Sequence, residues 1–130
     1  MDWIDWWNQE LKEHQNKIYC CDRYIIDVYS QAVQYGANLN FLCQLFEVFP
    51  KPDFSFFINI EPEEAVSRIK SRQELPQHSL ESLSELQKLT TSFSTVQNLL
   101  EWEFIYLDGT KSVEENIKYV LALIETRIVI

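Results

Sequence analysis

The residues best suited to chemistry come in three short groups: Asp22-Arg23-Tyr24 with Asp27 close behind, Arg68 and Arg72, and Asp108-Gly109. Arginine at such points suits phosphate, because its planar fork grips an anion through two parallel hydrogen bonds. Phosphoryl transfer depends mainly on positioned cations that hold oxygens whose charge redistributes in the transition state. A carboxylate beside the arginine can orient it, or orient water on Mg²⁺. The same residues also suit plain surface chemistry. Asp22 and Arg23 can form an ion pair at a strand end, and Arg68 and Arg72 can pair along a helix with Glu64 or Glu61. His14 and His78 stand far apart, and Cys20, Cys21 and Cys43 lack zinc-like spacing, so no structural metal cage is expected.

Such groups need rigid elements behind them, and the apolar pattern supplies these. Residues 2–16 read as an amphipathic helix with Trp3, Trp7 and Leu11 on one face. The run Lys17-Ile18-Tyr19-Cys20-Cys21-Asp22 reads as a buried strand ending in charge. Residues 25–35 are expected to be helical and closed by Gly36. Asn38 caps a short helix carrying Phe41, Leu42, Leu45 and Phe46, which Pro50 and Pro52 stop. Phe54 to Ile60 is a second buried strand. Pro62 then opens a helix with Glu63 and Glu64 in its first turn, running to about Arg72. Ser79 is expected to cap a long helix through Leu100, with Leu83, Leu86, Leu89, Phe93, Val96 and Leu100 as its apolar face. Glu103 to Leu107 is the third strand, Asp108-Gly109 a turn, and Ser112 with Glu115 a capping box into the last helix. Three apolar strands alternating with helices predict an α/β fold with a parallel sheet. Ligands in such sheets bind beyond the carboxyl ends of the strands. Asp22-Arg23, Glu61-Pro62 and Asp108-Gly109 mark those ends, so Asp22, Arg23, Arg68 and Arg72 are expected around one cleft.

Composition narrows the partners. One hundred and thirty residues suit a single domain spanning 1–130 with a real core. The net charge of −9 argues against nucleic acid, whose binding comes largely from Lys and Arg on phosphates. It argues equally against an anionic membrane surface. An odd number of cysteines suits a reducing compartment, and the cytoplasm is expected. The start Met1-Asp2-Trp3-Ile4-Asp5-Trp6-Trp7 is acidic and aromatic, unlike a signal peptide, and no apolar run approaches a membrane span.

Asp22-Arg23-Tyr24, after an apolar run and before a helix, is similar to the Asp-Arg-Tyr/His signature of thymidylate kinases. Pro52-Asp53-Phe54 resembles that family's Pro-Asp-Leu strand entry. Pro62 through Arg72 resembles its Pro-Glu-x-Ala-x-x-Arg-Ile-x-x-Arg helix, which leads to the lid over ATP. Ile105-Tyr106-Leu107-Asp108-Gly109 resembles its final strand and the loop beside the adenine. The resemblance implies a partial P-loop-kinase-like parallel sheet, its three strands corresponding to strands 3, 4 and 5 of the family, with flanking helices. Nearly the whole chain is covered, as the carboxy-terminal two thirds of the family domain. The implied reaction is phosphoryl transfer from ATP, with Mg²⁺, to a nucleoside monophosphate such as dTMP. Implied roles are catalytic for Asp22 and Arg23, substrate-binding for Tyr24 and Asp27, and ATP or lid contact for Arg68, Arg72, Asp108 and Gly109. Arg72 takes the place that packs on the adenine.

The pattern also departs from the family. A phosphate-binding loop needs Gly-x-x-x-x-Gly-Lys-Ser/Thr, and the only glycines are Gly36 and Gly109. Gly109-Thr110-Lys111-Ser112 reads as a turn plus cap. The family's base-reading Arg falls at about Asp2, Asp27 stands where members often carry Ser, and Gln73 to His78 is poor in cations. Three readings follow. One is an enzyme fragment, inactive alone, whose first part is missing from this sequence or supplied by another chain, with a complementing amino-terminal chain or a homodimer as partner. The alternative is a non-catalytic interaction module derived from the kinase fold, and the third is an α/β domain of other function. An open seam between Ile18–Cys21 and Phe54–Ile60 would invite strand pairing, either directly or with another chain.

Overall fold

Local signals position most of the elements. In a computed structural model, described for residues 3–14, 16–72 and 82–127, the helices are α1 (Trp3–Glu13), α2 (Ile25–Gln34), α3 (Leu39–Phe46), α4 (Pro62–Ser71), α5 (Leu83–Leu99) and α6 (Val113–Arg127). The strands are β1 (Ser55–Asn59) and β2 (Phe104–Asp108). The chain divides into two interleaved compact units, Met1–Asp53 with Ser84–Trp102, and Phe54–Leu83 with Glu103–Ile130. Among the described residues, no helix is long and apolar enough to cross a membrane.

The first unit is helical. Gly36 sits at φ 84° and ends α2 with paired bonds, Gly36 N–H to Val33 O at 2.9 Å and Ala37 N–H to Ala32 O at 2.9 Å. That pair of bonds is the Schellman closure, and its left-handed residue costs a glycine little. Asn38 caps α3 by accepting from Phe41 N–H at 3.2 Å. The core holds Ile25 and Tyr29 of α2, Leu42 and Phe46 of α3, Val96 of α5 and Leu100 just beyond it. Tyr29 meets Phe46 edge to face at 4.3 Å. Gln34 donates to the Glu85 carboxylate at 2.7 Å, tying α2 to α5. The apolar face of α5 thins toward its start: Val96 is fully buried, Leu86, Leu89 and Phe93 are half-buried, and Leu83 is exposed. The expected Ser79 cap lies outside the described residues, as does the side chain of Trp3.

The expected first strand is absent: Lys17 to Cys21 forms no ladder, and Ile18, Cys20 and Cys21 are exposed. β-rich composition makes a strand only when a neighbour supplies hydrogen bonds and packing. Here the segment follows α1 instead. Tyr19 donates to Glu10 at 2.8 Å, its ring meets Trp7 edge to face at 5.2 Å, and Trp7 stacks on Trp6 at 5.6 Å. The fold is therefore α/β with two strands among the described residues, not three.

The second unit carries that sheet. β1 and β2 pair in parallel, Ser55 opposite Phe104 through Asn59 opposite Asp108. Gly109 extends the ladder by donating to Asn59 O at 2.8 Å. Pro62 starts α4 with Glu63 and Glu64 in the first turn, as the dipole favours. Ser112 and Glu115 cap α6 reciprocally: Glu115 N–H donates to Ser112 Oγ at 3.2 Å, and Ser112 N–H to Glu115 Oε2 at 3.0 Å. Among the described residues of this unit, Leu107 alone of the apolar side chains is buried.

Candidate functional site

The residues singled out for chemistry fall into both units. Asp22, Arg23, Tyr24 and Asp27 belong to the first; Arg68, Arg72, Asp108 and Gly109 belong to the second. Each group has its own geometry.

Arg23 stands at φ 64°, and among the described residues it alone is a non-glycine in the left-handed region. A residue with a Cβ rarely stays there unless its surroundings hold it, and such positions cluster at functional sites. The surroundings are legible. Tyr24 follows as the N-cap of α2 in an extended conformation, and its hydroxyl donates to Pro50 O at 3.0 Å. Its ring stacks on Trp102 at 6.1 Å and meets Phe49 edge to face at 6.4 Å. Burial pushes the Tyr24 hydroxyl pKa up. Tyr24 is thus an anchor that locks the backbone just after Arg23. The Arg23 side chain is 75% exposed, and its Nη1 lies 3.6 Å from Asp27 Oδ2, too long for a good hydrogen bond. Asp22 is exposed. The junction therefore presents a nearly free guanidinium at the start of a helix, flanked by two carboxylates.

In the second unit, Arg68 Nε donates to Glu64 at 2.9 Å, four residues back on α4. This is the surface pairing that helix spacing favours. Arg72 is exposed at the carboxyl end of α4. The stretch Gln73 to His78 lies outside the described residues, and so does Asp2.

The turn after β2 is the more ordered part. Asp108 accepts from Thr110 Oγ1 at 2.6 Å and Thr110 N–H at 2.9 Å, and these bonds hold its carboxyl below the usual range. Asn116 of α6 donates to Asp108 O at 2.9 Å. A Cβ on Gly109 would come within 2.8 Å of Asn59 O, so the close approach of the turn to β1 requires glycine. Alongside lies a cavity of about 210 Å³, walled by Tyr106 and Tyr119 and edged by Asp108, Lys111, Glu115 and Asn116.

Sequence reasoning missed Thr110, Asn116 and the two tyrosines. The pattern Asp108-Gly109-Thr110 carries a signal for the first, since Asp commonly bonds the backbone two residues on. Nothing local marks Asn116, whose role depends on where α6 packs. No cluster of three or more His, Cys, Asp or Glu that could cage a metal occurs among the described residues.

Residues 6–120 match the family described as thymidylate kinase. The chain is 30% identical over 79 residues to a thymidylate kinase of Lactobacillus helveticus, covering 59% of this chain and 37% of that one. It is 28% identical over 108 residues to a probable thymidylate kinase 2 of Saccharolobus solfataricus, covering 73% and 50%. A probable thymidylate kinase of Pyrococcus abyssi is 25% identical over 112 residues, covering 85% and 53%. The chain spans about half the length of these relatives or less.

Proposed function

The chain belongs to the thymidylate kinase family, and on that premise we propose that it supplies the monophosphate-handling and base-side parts of a nucleoside monophosphate kinase. The reaction is phosphoryl transfer from ATP to a substrate such as dTMP. The observation that carries this reading is Arg23, kept left-handed at φ 64° with its side chain 75% exposed. A strained cation that is barely engaged is pre-positioned for an external anion.

In this reading the Arg23 fork grips the phosphate of the monophosphate. Asp27 steadies the guanidinium when the site is empty and gives way to the ligand, which its 3.6 Å separation makes inexpensive. Tyr24 serves the substrate by fixing the backbone beneath Arg23. Arg68 and Arg72, at the end of the helix that leads toward the lid, serve ATP, and the Asp108-Gly109 turn borders its adenine. Mg²⁺ arriving with ATP would neutralise phosphate charge. Asp22, exposed beside Arg23, suits its water shell, because Mg²⁺ commonly keeps several waters and takes one or two carboxylates. These 130 residues contain no Gly-x-x-x-x-Gly-Lys-Ser/Thr, so the proposed chain does not turn over alone. Its exposed thiols Cys20 and Cys21 suit the reducing cytoplasm.

A second reading, a non-catalytic interaction module, is favoured by the apolar side chains left exposed on the sheet and α6. Monophosphate binding separates the two. Titration of the ¹⁵N-arginine-labelled chain with dTMP is expected to shift the Arg23 Nε resonance, while thymidine leaves it in place. Arg23→Ala is expected to weaken dTMP binding by about 10–100-fold, the worth of a charged hydrogen bond. Equal responses to dTMP and thymidine, or no response at all, would favour the interaction module.

A further inference from the structure

Arg23 has little of its own to keep it left-handed. Its side chain is 75% exposed, and the residues before it, Cys20, Cys21 and Asp22, are exposed and outside any ladder. Left-handed residues with a Cβ persist only where the surroundings over-determine them. The constraint comes from the other side, where Tyr24 enters α2 in an extended conformation at φ −146°.

Two stretches of chain hold that tyrosine. After α3, Pro50 O accepts from its hydroxyl at 3.0 Å, and Phe49 meets its ring edge to face at 6.4 Å. Just beyond α5, Trp102 stacks on the ring, with 6.1 Å between centroids and 30° between planes. Phe49 also meets Tyr29 edge to face at 6.4 Å, so it serves the core as well. Trp102 is half-buried and is not among the buried core residues. Its neighbours fix where it stands. Leu100 is buried with its N–H on Val96 O at 3.0 Å, and Lys51 Nζ donates to Glu101 O at 3.1 Å.

We infer that Trp102 is a positioning residue for the Arg23 phosphate site: by stacking on Tyr24 it keeps the Arg23 backbone left-handed and the guanidinium ready for the monophosphate. The phosphate half rests on the function proposed above; the backbone half does not. The balance is close. An aromatic pair contributes about as much as a left-handed residue with a Cβ costs, so removing one plane is enough to release the backbone. Trp102→Leu keeps the position apolar and removes the plane on which Tyr24 stacks, whereas Trp102→Phe keeps a plane there.

The test compares wild type, Trp102→Leu and Trp102→Phe in the full 130-residue chain by NMR. A left-handed residue brings its own amide and Hα protons close together, which gives a strong cross-peak within Arg23. Without nucleotide, that cross-peak is expected to be strong in the wild type, weak in Trp102→Leu and strong again in Trp102→Phe. Followed at the Arg23 Nε resonance, dTMP is expected to bind Trp102→Leu about 3–10-fold more weakly than the wild type, and Trp102→Phe within about twofold. Circular dichroism is expected to be the same in all three. A wild-type cross-peak in Trp102→Leu would overturn the inference, as would dTMP affinity equal to that of the wild type. Loss of the fold in Trp102→Leu would overturn it too, because Trp102 would then be core structure and not a positioning residue. A wild type that ignores dTMP would remove the kinase reading, and the cross-peaks would still decide the role of Trp102.

Discussion

Arg23 bears a conformational cost that the proposed phosphate role would explain. A left-handed residue with a Cβ costs roughly 1–2 kcal/mol, and glycine at the same place costs roughly 0.5–1 kcal/mol in chain entropy. Arg23→Gly is therefore expected to leave the fold as stable as before, or up to about 1 kcal/mol more stable, while removing dTMP binding. Urea unfolding beside the titration checks both halves; a clear loss of stability would mean that Arg23 is there for structure. Acid behaviour is also a residue-scale matter. Glu10 is held below the ordinary 4.5 chiefly by the Tyr19 hydroxyl, and Glu115 chiefly by the Ser112 backbone. Because these folded values are depressed, the stability they contribute is complete above about pH 4.5 and is lost as pH falls through the lowered values. Tyr19→Phe is expected to return the Glu10 titration toward 4.5, followed by carboxyl ¹³C shifts. No change there would contradict the role given to the hydroxyl.

At the scale of elements, caps and turns carry the placement of the site. Asn38→Ala removes the bond that starts α3 and is expected to cost about 0.5–2 kcal/mol in urea unfolding. Gly109→Ala would push a methyl to 2.8 Å from Asn59 O and 3.1 Å from Ile58 Cγ2. Overpacking of that kind costs typically about 1–3 kcal/mol, and it should also disturb the Asp108 turn. Wild-type stability in Gly109→Ala would show that the turn can move away from β1. These same local signals explain what the sequence made legible. Gly36, Asn38, Pro62 and the Ser112/Glu115 box each act within a few residues, and each ends or starts a helix where expected. Lys17 to Cys21 was misread for the opposite reason: a strand is completed by residues far off in sequence, and composition alone does not reveal whether they are there. Asn116 was invisible on the same ground.

Considered as a whole molecule, the chain has a well-buried helical core in one unit and a thinly covered sheet in the other. In the second unit Val113, Ile117 and Leu121, spaced along one face of α6, are 69%, 51% and 51% exposed, and α6 has no buried residue. The family could be read from the motifs at Asp22-Arg23-Tyr24, before β1, along α4 and at the end of β2, because each is a short pattern local in sequence. The number of strands could not, since it depends on partners outside those motifs. The central claim of the proposed function is that Arg23 is the phosphate-gripping residue and that these 130 residues, which contain no Gly-x-x-x-x-Gly-Lys-Ser/Thr, do not turn over by themselves. The most direct measurement is ADP release by the purified 130-residue chain with dTMP and ATP·Mg²⁺, in the wild type and in Arg23→Ala. The account predicts no turnover above background in either. Turnover by the wild type that Arg23→Ala abolishes would contradict it.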